Sequence, residues 1–179
     1  MPRLSPGFPP SESIDRSARL ETDAHASAAS SEPRSRSNWH RALRIYVGVT
    51  AAANFAWEVL QLPLYTIWST GTLKHQAFAV IHCTGGDVLI AVAALTIALI
   101  SVGTSNWPAQ GHVRVLVVTL ALGLGYTIFS EWFHVVVRSA WAYSRLMPVM
   151  PILNIGLSPF LQWILIPAVS LTVARKFRG

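Results

Sequence analysis

The chain has 179 residues, 52% of them hydrophobic and 12% charged, with a formal net charge of +6 and a mean hydropathy of +0.43. That balance excludes a chain disordered over most of its length and argues against an ordinary water-soluble domain. Residues 1–37 carry five Arg and five acids, whereas residues 38–179 carry nine Lys or Arg and only Glu58, Asp87 and Glu131. The whole positive surplus therefore belongs to the second segment.

Residues 1–37 are rich in Ser, Ala, Pro and Arg, with one Phe and no Trp or Tyr. Such a segment cannot bury enough apolar surface to offset chain entropy, and a disordered tail is expected. It lacks the apolar run of a secretory signal, and its acids argue against an organelle transit peptide. Protein sequence leaves open whether this tail is a genuine part of the expressed chain.

Residues 38–179 read as an integral membrane domain. Four apolar stretches, at about 42–62, 78–101, 113–136 and 153–174, each meet the requirement of roughly 20 residues for a helix across the hydrocarbon core. Pro63 ends the first, and Asn106, Trp107 and Pro108 mark the turn after the second. The longer connection 137–152 holds Trp141, Tyr143, Met147, Pro148 and Pro151; its aromatics predict a segment lying in the interface, with a short helix over the bundle mouth as one form. Glycines at 85, 86, 123 and 125 are expected where helices approach closely.

Arg34, Arg36, Arg41, Arg44, Arg114, Arg175, Lys176 and Arg178 fall on one side of this arrangement, and Lys74, Arg138 and Arg145 on the other. Positive-inside bias then places both termini in the cytoplasm, in an all-α, four-helix transmembrane bundle of the cell inner membrane. The basic charge is spread over bundle ends and forms no continuous stripe, which argues against nucleic acid as a partner. Cys83 is the single cysteine, so no intramolecular disulfide and no cysteine-based zinc motif can form.

Ionisable side chains inside a bilayer are costly and call for a reason. Asn54, Glu58 and Gln61 share one face of the first span; Thr127, Glu131, His134 and Arg138 share one face of the third; Asn154, Ser158 and Gln162 recur along the fourth. Asp87 lies one turn beyond Cys83 in the second span, with His82 on a different face. At 1.5 Å per residue, Glu58 and His82 lie about 6 Å from the outer boundary, Glu131 about 8 Å, and Asp87 and Gln162 about 13 Å. The inner halves offer only hydroxyls, so the pattern predicts a cup open to the outer side and closed below, unlike a carrier with a central site.

Two chemistries suit this set. Glu58, Asp87 and Glu131 can serve as a catalytic acid and base set, because burial and clustering favour one protonated carboxyl beside an ionised one. Asn54, Gln61, Arg138 and Gln162 would then bind the ligand or cofactor. Alternatively, Glu131 and His134, spaced as helical ligands are, could join His82 around a divalent transition metal. The leading expectation is an enzyme acting on a membrane lipid or isoprenoid by acid–base or metal-assisted chemistry. The alternatives are a metal- or ligand-binding membrane protein without turnover, as a homo-oligomer or a subunit of a larger membrane complex, and a structural or assembly protein whose polar network fixes helix register.

Overall fold

The computed structural model describes residues 39–177; the expected disordered tail over 1–37 lies outside the described residues. Helix α1 covers residues 39–61. Ala42, Tyr46, Thr50, Asn54 and Glu58 are all buried, and their four-residue spacing makes a single inward stripe. Phe55, Val59 and Leu60 point outward. Pro63, which has no backbone N–H to donate, falls inside the 3-10 turn Leu62–Leu64 that ends the helix.

A short helical turn, Ile67–Thr70, leads into α2, Leu73–Val102. Thr72 caps α2 by accepting from the His75 N–H at 3.3 Å. Helix α3, His112–Glu131, continues as a π-helical turn over Trp132–Val137. Its wider winding shows in the Arg138 N–H, which reaches back to the Phe133 carbonyl at 2.8 Å. Strands β1, Val149–Met150, and β2, Ile155–Gly156, form a two-stranded antiparallel ladder pairing Val149 with Gly156 and Met150 with Ile155. Helix α4, Leu157–Lys176, contains Pro167.

Among the described residues, three helices are long and apolar enough to cross a membrane: Leu73–Val102, His112–Val137 and Leu157–Lys176. Their ends fall within a few residues of the expected spans. Helix α1 matches the expected first stretch in position, but Arg41, Arg44, Asn54, Glu58 and Gln61 dilute its apolar character. One expectation needs correcting. The connection after α3 contains no helix: Ser139 takes a left-handed backbone with φ 48° at its start, and Pro148 and Pro151 interrupt its far end; it instead makes the β-ladder and a tether to the turn after α1.

The burial of polar side chains and the exposure of aliphatic ones are compatible with a membrane protein. Asn54, Glu58, Gln61, Thr119, Thr127, Glu131, Gln162 and Ser170 are buried, while Leu60, Leu89, Ile100, Val113 and Val169 are exposed. In a bilayer, lipid would meet the outward aliphatic groups, and the interior pairs groups that lipid cannot. The apolar core comprises Tyr46, Ala91, Leu95, Trp107, Val115, Trp163 and Leu171 among others. Trp107 is thus a core residue, because its turn folds back under the bundle end.

Glycine is required at position 123. A Cβ there would lie 2.6 Å from Cζ3 of Trp163, so the bare α3 backbone forms the seat on which the α4 indole rests. Gly85, Gly86 and Gly125 face open space and mediate no such approach.

Candidate functional site

Glu58 from α1, Asp87 from α2 and Gln162 from α4 meet in the interior. The Gln162 Nε2 lies 3.0 Å from Glu58 Oε1, 2.9 Å from Asp87 Oδ2 and 2.8 Å from Asn54 Oδ1. An amide nitrogen carries two hydrogens and here faces three acceptors. Gln61 Nε2 donates to Glu58 Oε1 at 2.7 Å and lies 3.4 Å from Gln162 Oε1. Ser158 donates to Gln61 Oε1 at 2.8 Å and accepts from Trp57 Nε1 at 3.1 Å. Asn54 uses its own amide to reach the Thr50 carbonyl at 2.9 Å.

Local sequence explains the convergence. Asn54, Glu58 and Gln61 recur every three or four residues on α1, and Ser158 and Gln162 do so on antiparallel α4. Two polar stripes therefore face each other along the seam. Exposure is 3% for Asn54, 9% for Glu58, 6% for Gln61 and 2% for Gln162, so little outside the protein competes for these groups.

Glu131, at the end of α3, forms a second centre. The Tyr143 hydroxyl donates to Glu131 Oε2 and accepts from the Gly156 N–H at 2.9 Å. Tyr65 stands beside it, its ring centroid 5.7 Å from that of Tyr143, and the two residues pair as an antiparallel bridge. Ser144 donates to the Pro63 carbonyl at 2.8 Å, and the Thr66 N–H donates to the Ala142 carbonyl at 2.9 Å. The connection is thereby laced to the turn after α1, closing this end of the interior.

The two centres are electrostatic neighbours. Glu58 acts on Glu131, and all three acids act on Cys83. Tyr65 feels Glu131, Tyr143, Glu58 and Cys83, and with burial as the largest cause its phenol is pushed well above the usual range. The Tyr143 phenol is also pushed up, first by burial, then by its bond to Glu131 and that residue's charge. Both phenols are thus held in the neutral form.

The structure brings together Glu58, Asp87, Asn54, Gln61 and Gln162 and sets Glu131 close by. It does not bring in His82, His134 or Arg138. His82 is exposed on α2 and stacks on Phe78 at 5.5 Å. His134 turns its Nδ1 to the Ser130 carbonyl at 2.8 Å and stacks on Trp141 at 4.5 Å. Arg138 is exposed, its Cζ 6.0 Å from the Phe133 ring centroid.

The π-helical turn explains two of these departures. It begins just after Glu131, so His134 and Arg138 leave the face that regular α-helical spacing would have given them. Among the described residues, no group of three His, Cys, Asp or Glu side chains is placed to hold a metal ion. The expected His82, Glu131 and His134 set is therefore not assembled, and Arg138 neutralises neither carboxylate of the seam.

Tyr143, Tyr65 and Trp57 are site residues that spacing alone did not single out for these roles. Only one sequence signal pointed to Tyr143: a buried carboxylate needs a donor, and this tyrosine lies in the connection that must pass over it. The chain matches no protein-family model, and no match to it is found among curated proteins or solved structures.

Proposed function

We propose that the chain is a four-span integral membrane protein of the cell inner membrane, with both termini cytoplasmic, and that its interior cluster is an acid–base site for a membrane lipid or isoprenoid. Helix α1 supplies the fourth span: its polar stripe is buried against its neighbours, and its outward face carries Phe55, Val59 and Leu60. The excess of basic residues at the end bearing Arg41, Arg44, Arg114, Arg175 and Lys176 supports the orientation.

One observation carries the catalytic reading: Glu58 and Asp87, from different helices, share a single amide nitrogen. Two carboxyls buried around one amide nitrogen repel each other when both are ionised, and a single proton kept by the pair relieves that repulsion. Such a pair offers an acid and a base at once. In a double-bond shift the acid gives its proton to one alkene carbon while the base takes one from the allylic carbon, leaving the pair with its original proton count. Glu131 with Tyr143 supplies a second donor–acceptor pair on the outer side. Asn54, Gln61 and Gln162 position the carboxyls. Metal ligation and Arg138 have no part in this reading, because their side chains are engaged elsewhere.

A second reading, a register-fixing network in a structural or assembly protein, is favoured by the close pairing of Gln61, Ser158, Trp57 and Asn54. Lipid extracts from membranes containing the wild type, Asp87→Asn or Glu131→Gln separate the two. The catalytic reading expects a lipid or isoprenoid product that disappears in both variants, while membrane level and size-exclusion profile stay near wild type. Loss of folded protein in both variants, or lipid profiles identical in all three, would favour the structural role.

A further inference from the structure

At the basic end of the bundle, α1 and α2 leave an open cleft of about 450 Å³ between them, a volume within the range of small-ligand sites. Its walls are Leu43 on α1 and Thr96, Leu99 and Ile100 on α2. Its mouth is Trp39, the first residue of α1, with Gly103, Thr104 and Ser105 just past the end of α2. Further in along both helices, the Tyr46 hydroxyl donates to the Ala91 carbonyl at 3.3 Å, which holds the two walls together. None of these residues belongs to the acid cluster.

The cleft is graded in polarity. Thr96 spends its hydroxyl on the Val92 carbonyl at 2.7 Å, so the walls offer a ligand little but hydrocarbon. The mouth is polar. Thr104 already donates to the Gln110 carbonyl at 3.3 Å, which leaves the Ser105 hydroxyl and the Trp39 indole as side-chain donors there. Tryptophan is also the residue type that favours the level of lipid headgroups. Along α2 the run from Thr96 to Gly103 is about 10 Å long at 1.5 Å per residue. A helix, with a diameter of about 10–12 Å including side chains, is too bulky for such a space, whereas a single hydrocarbon chain suits it.

Charge selects the headgroup. Arg41, Arg44, Arg114, Arg175 and Lys176 stand at this end, and none of the acids among the described residues, Glu58, Asp87 and Glu131, does. Basic pockets between spans on the cytoplasmic side are where anionic headgroups are held. We propose, on the membrane placement argued above, that this cleft binds one anionic phospholipid. An acyl chain lies along Leu43, Leu99 and Ile100, the phosphate sits at Trp39 and Ser105, and Arg44, exposed and next to Leu43 in the chain, is the countercharge. The ligand therefore comes from the leaflet opposite the Tyr143 lacing.

The photoreactive residue p-benzoylphenylalanine, placed at Thr96, identifies the occupant. The full chain is reconstituted in vesicles of equal phosphatidylglycerol and phosphatidylethanolamine, irradiated, and read by intact-mass and peptide mass spectrometry. Val117, exposed toward the same end of α3 but outside the cleft, carries the probe in a control chain and feels the same surface charge. Among Thr96 adducts, phosphatidylglycerol should be favoured over phosphatidylethanolamine about fivefold more than among Val117 adducts, the effect of one basic side chain beside an anionic headgroup. Arg44→Gln should remove that difference, with a monodisperse size-exclusion profile checking folding. Equal preference at the two positions, a preference unchanged in Arg44→Gln, or a Thr96 adduct to a second copy or to residues 1–38 in place of lipid would overturn the proposal. Lipid adducts at Val117 alone would sink the cleft and leave the membrane placement standing; lipid adducts at neither position would sink both.

Discussion

Tyr143 gives its phenolic hydrogen to Glu131 while taking one from the Gly156 N–H. One side chain thus fastens the end of α3 to the residue that precedes α4. Tyr143→Phe keeps the ring beside Tyr65 but removes both bonds. Leaving a buried carboxyl without its donor should cost about 1–3 kcal/mol. Thermal unfolding in mild detergent measures the loss, and proteolysis within 138–156 should quicken.

Alkaline titration offers a second check. Tyr143 and Tyr65 both have phenols pushed above the ordinary value of 10.0. The neutral form is therefore favoured in the folded state. The stabilising contribution is complete below the unfolded-chain value and fades as pH rises toward the raised folded values. Tyrosinate absorbance should show these two residues ionising after an ordinary phenol, with unfolding accompanying their titration. In Tyr143→Phe the late phase should shrink.

Gly123→Ala drives a methyl group into the Trp163 ring, where the nearest separations leave no room. Overpacking of this kind should destabilise by about 1–3 kcal/mol. Combining it with Trp163→Leu should recover part of the loss. Additive losses in the double variant would show that the two residues do not share one contact.

Gln162→Leu removes the amide that Glu58, Asp87 and Asn54 share. Stranding buried carboxyls costs far more than deleting one of them, so a loss of about 3–5 kcal/mol is expected. Asp87→Asn should stay near wild type in thermal stability. Gln162→Leu in the Asp87→Asn background should then be milder than in the wild type, a coupling measurable by a double-mutant cycle.

The proposed four-span topology predicts opposite reactivity at the two bundle ends. In a Cys83→Ala background, Ser69→Cys should react with an impermeant maleimide from outside intact spheroplasts. Ser105→Cys should react only after the membrane is opened. Equal labelling of both would contradict the single crossing assigned between Ser69 and Ser105.

Much of this layout was legible in the sequence. The apolar stretches located the helices within a few residues because length and hydropathy decide what can lie in hydrocarbon. The four-residue recurrence of Asn54, Glu58 and Gln61 and of Ser158 and Gln162 identified the polar seam, since helical phase carries over reliably within an unbroken helix. Beyond Glu131 the same reasoning failed. Extrapolating α-helical phase through Trp132–Val137 kept His134 and Arg138 beside the acid, whereas the i→i+5 winding turns them away. Tyr143 was equally hidden: it meets Glu131 through tertiary lacing with the turn after α1, which no local periodicity encodes.

The π-helical turn has a further consequence for how this chain tolerates change in length. Such a turn is equivalent to a regular helix carrying one surplus residue. Deleting a single position between 132 and 137 should let the segment rewind tightly, which would pull the aromatic stack of His134 and Trp141 out of phase with the acid below. An insertion elsewhere in α3 has no comparable slack to absorb it. Length variation among natural variants should therefore cluster in that one turn.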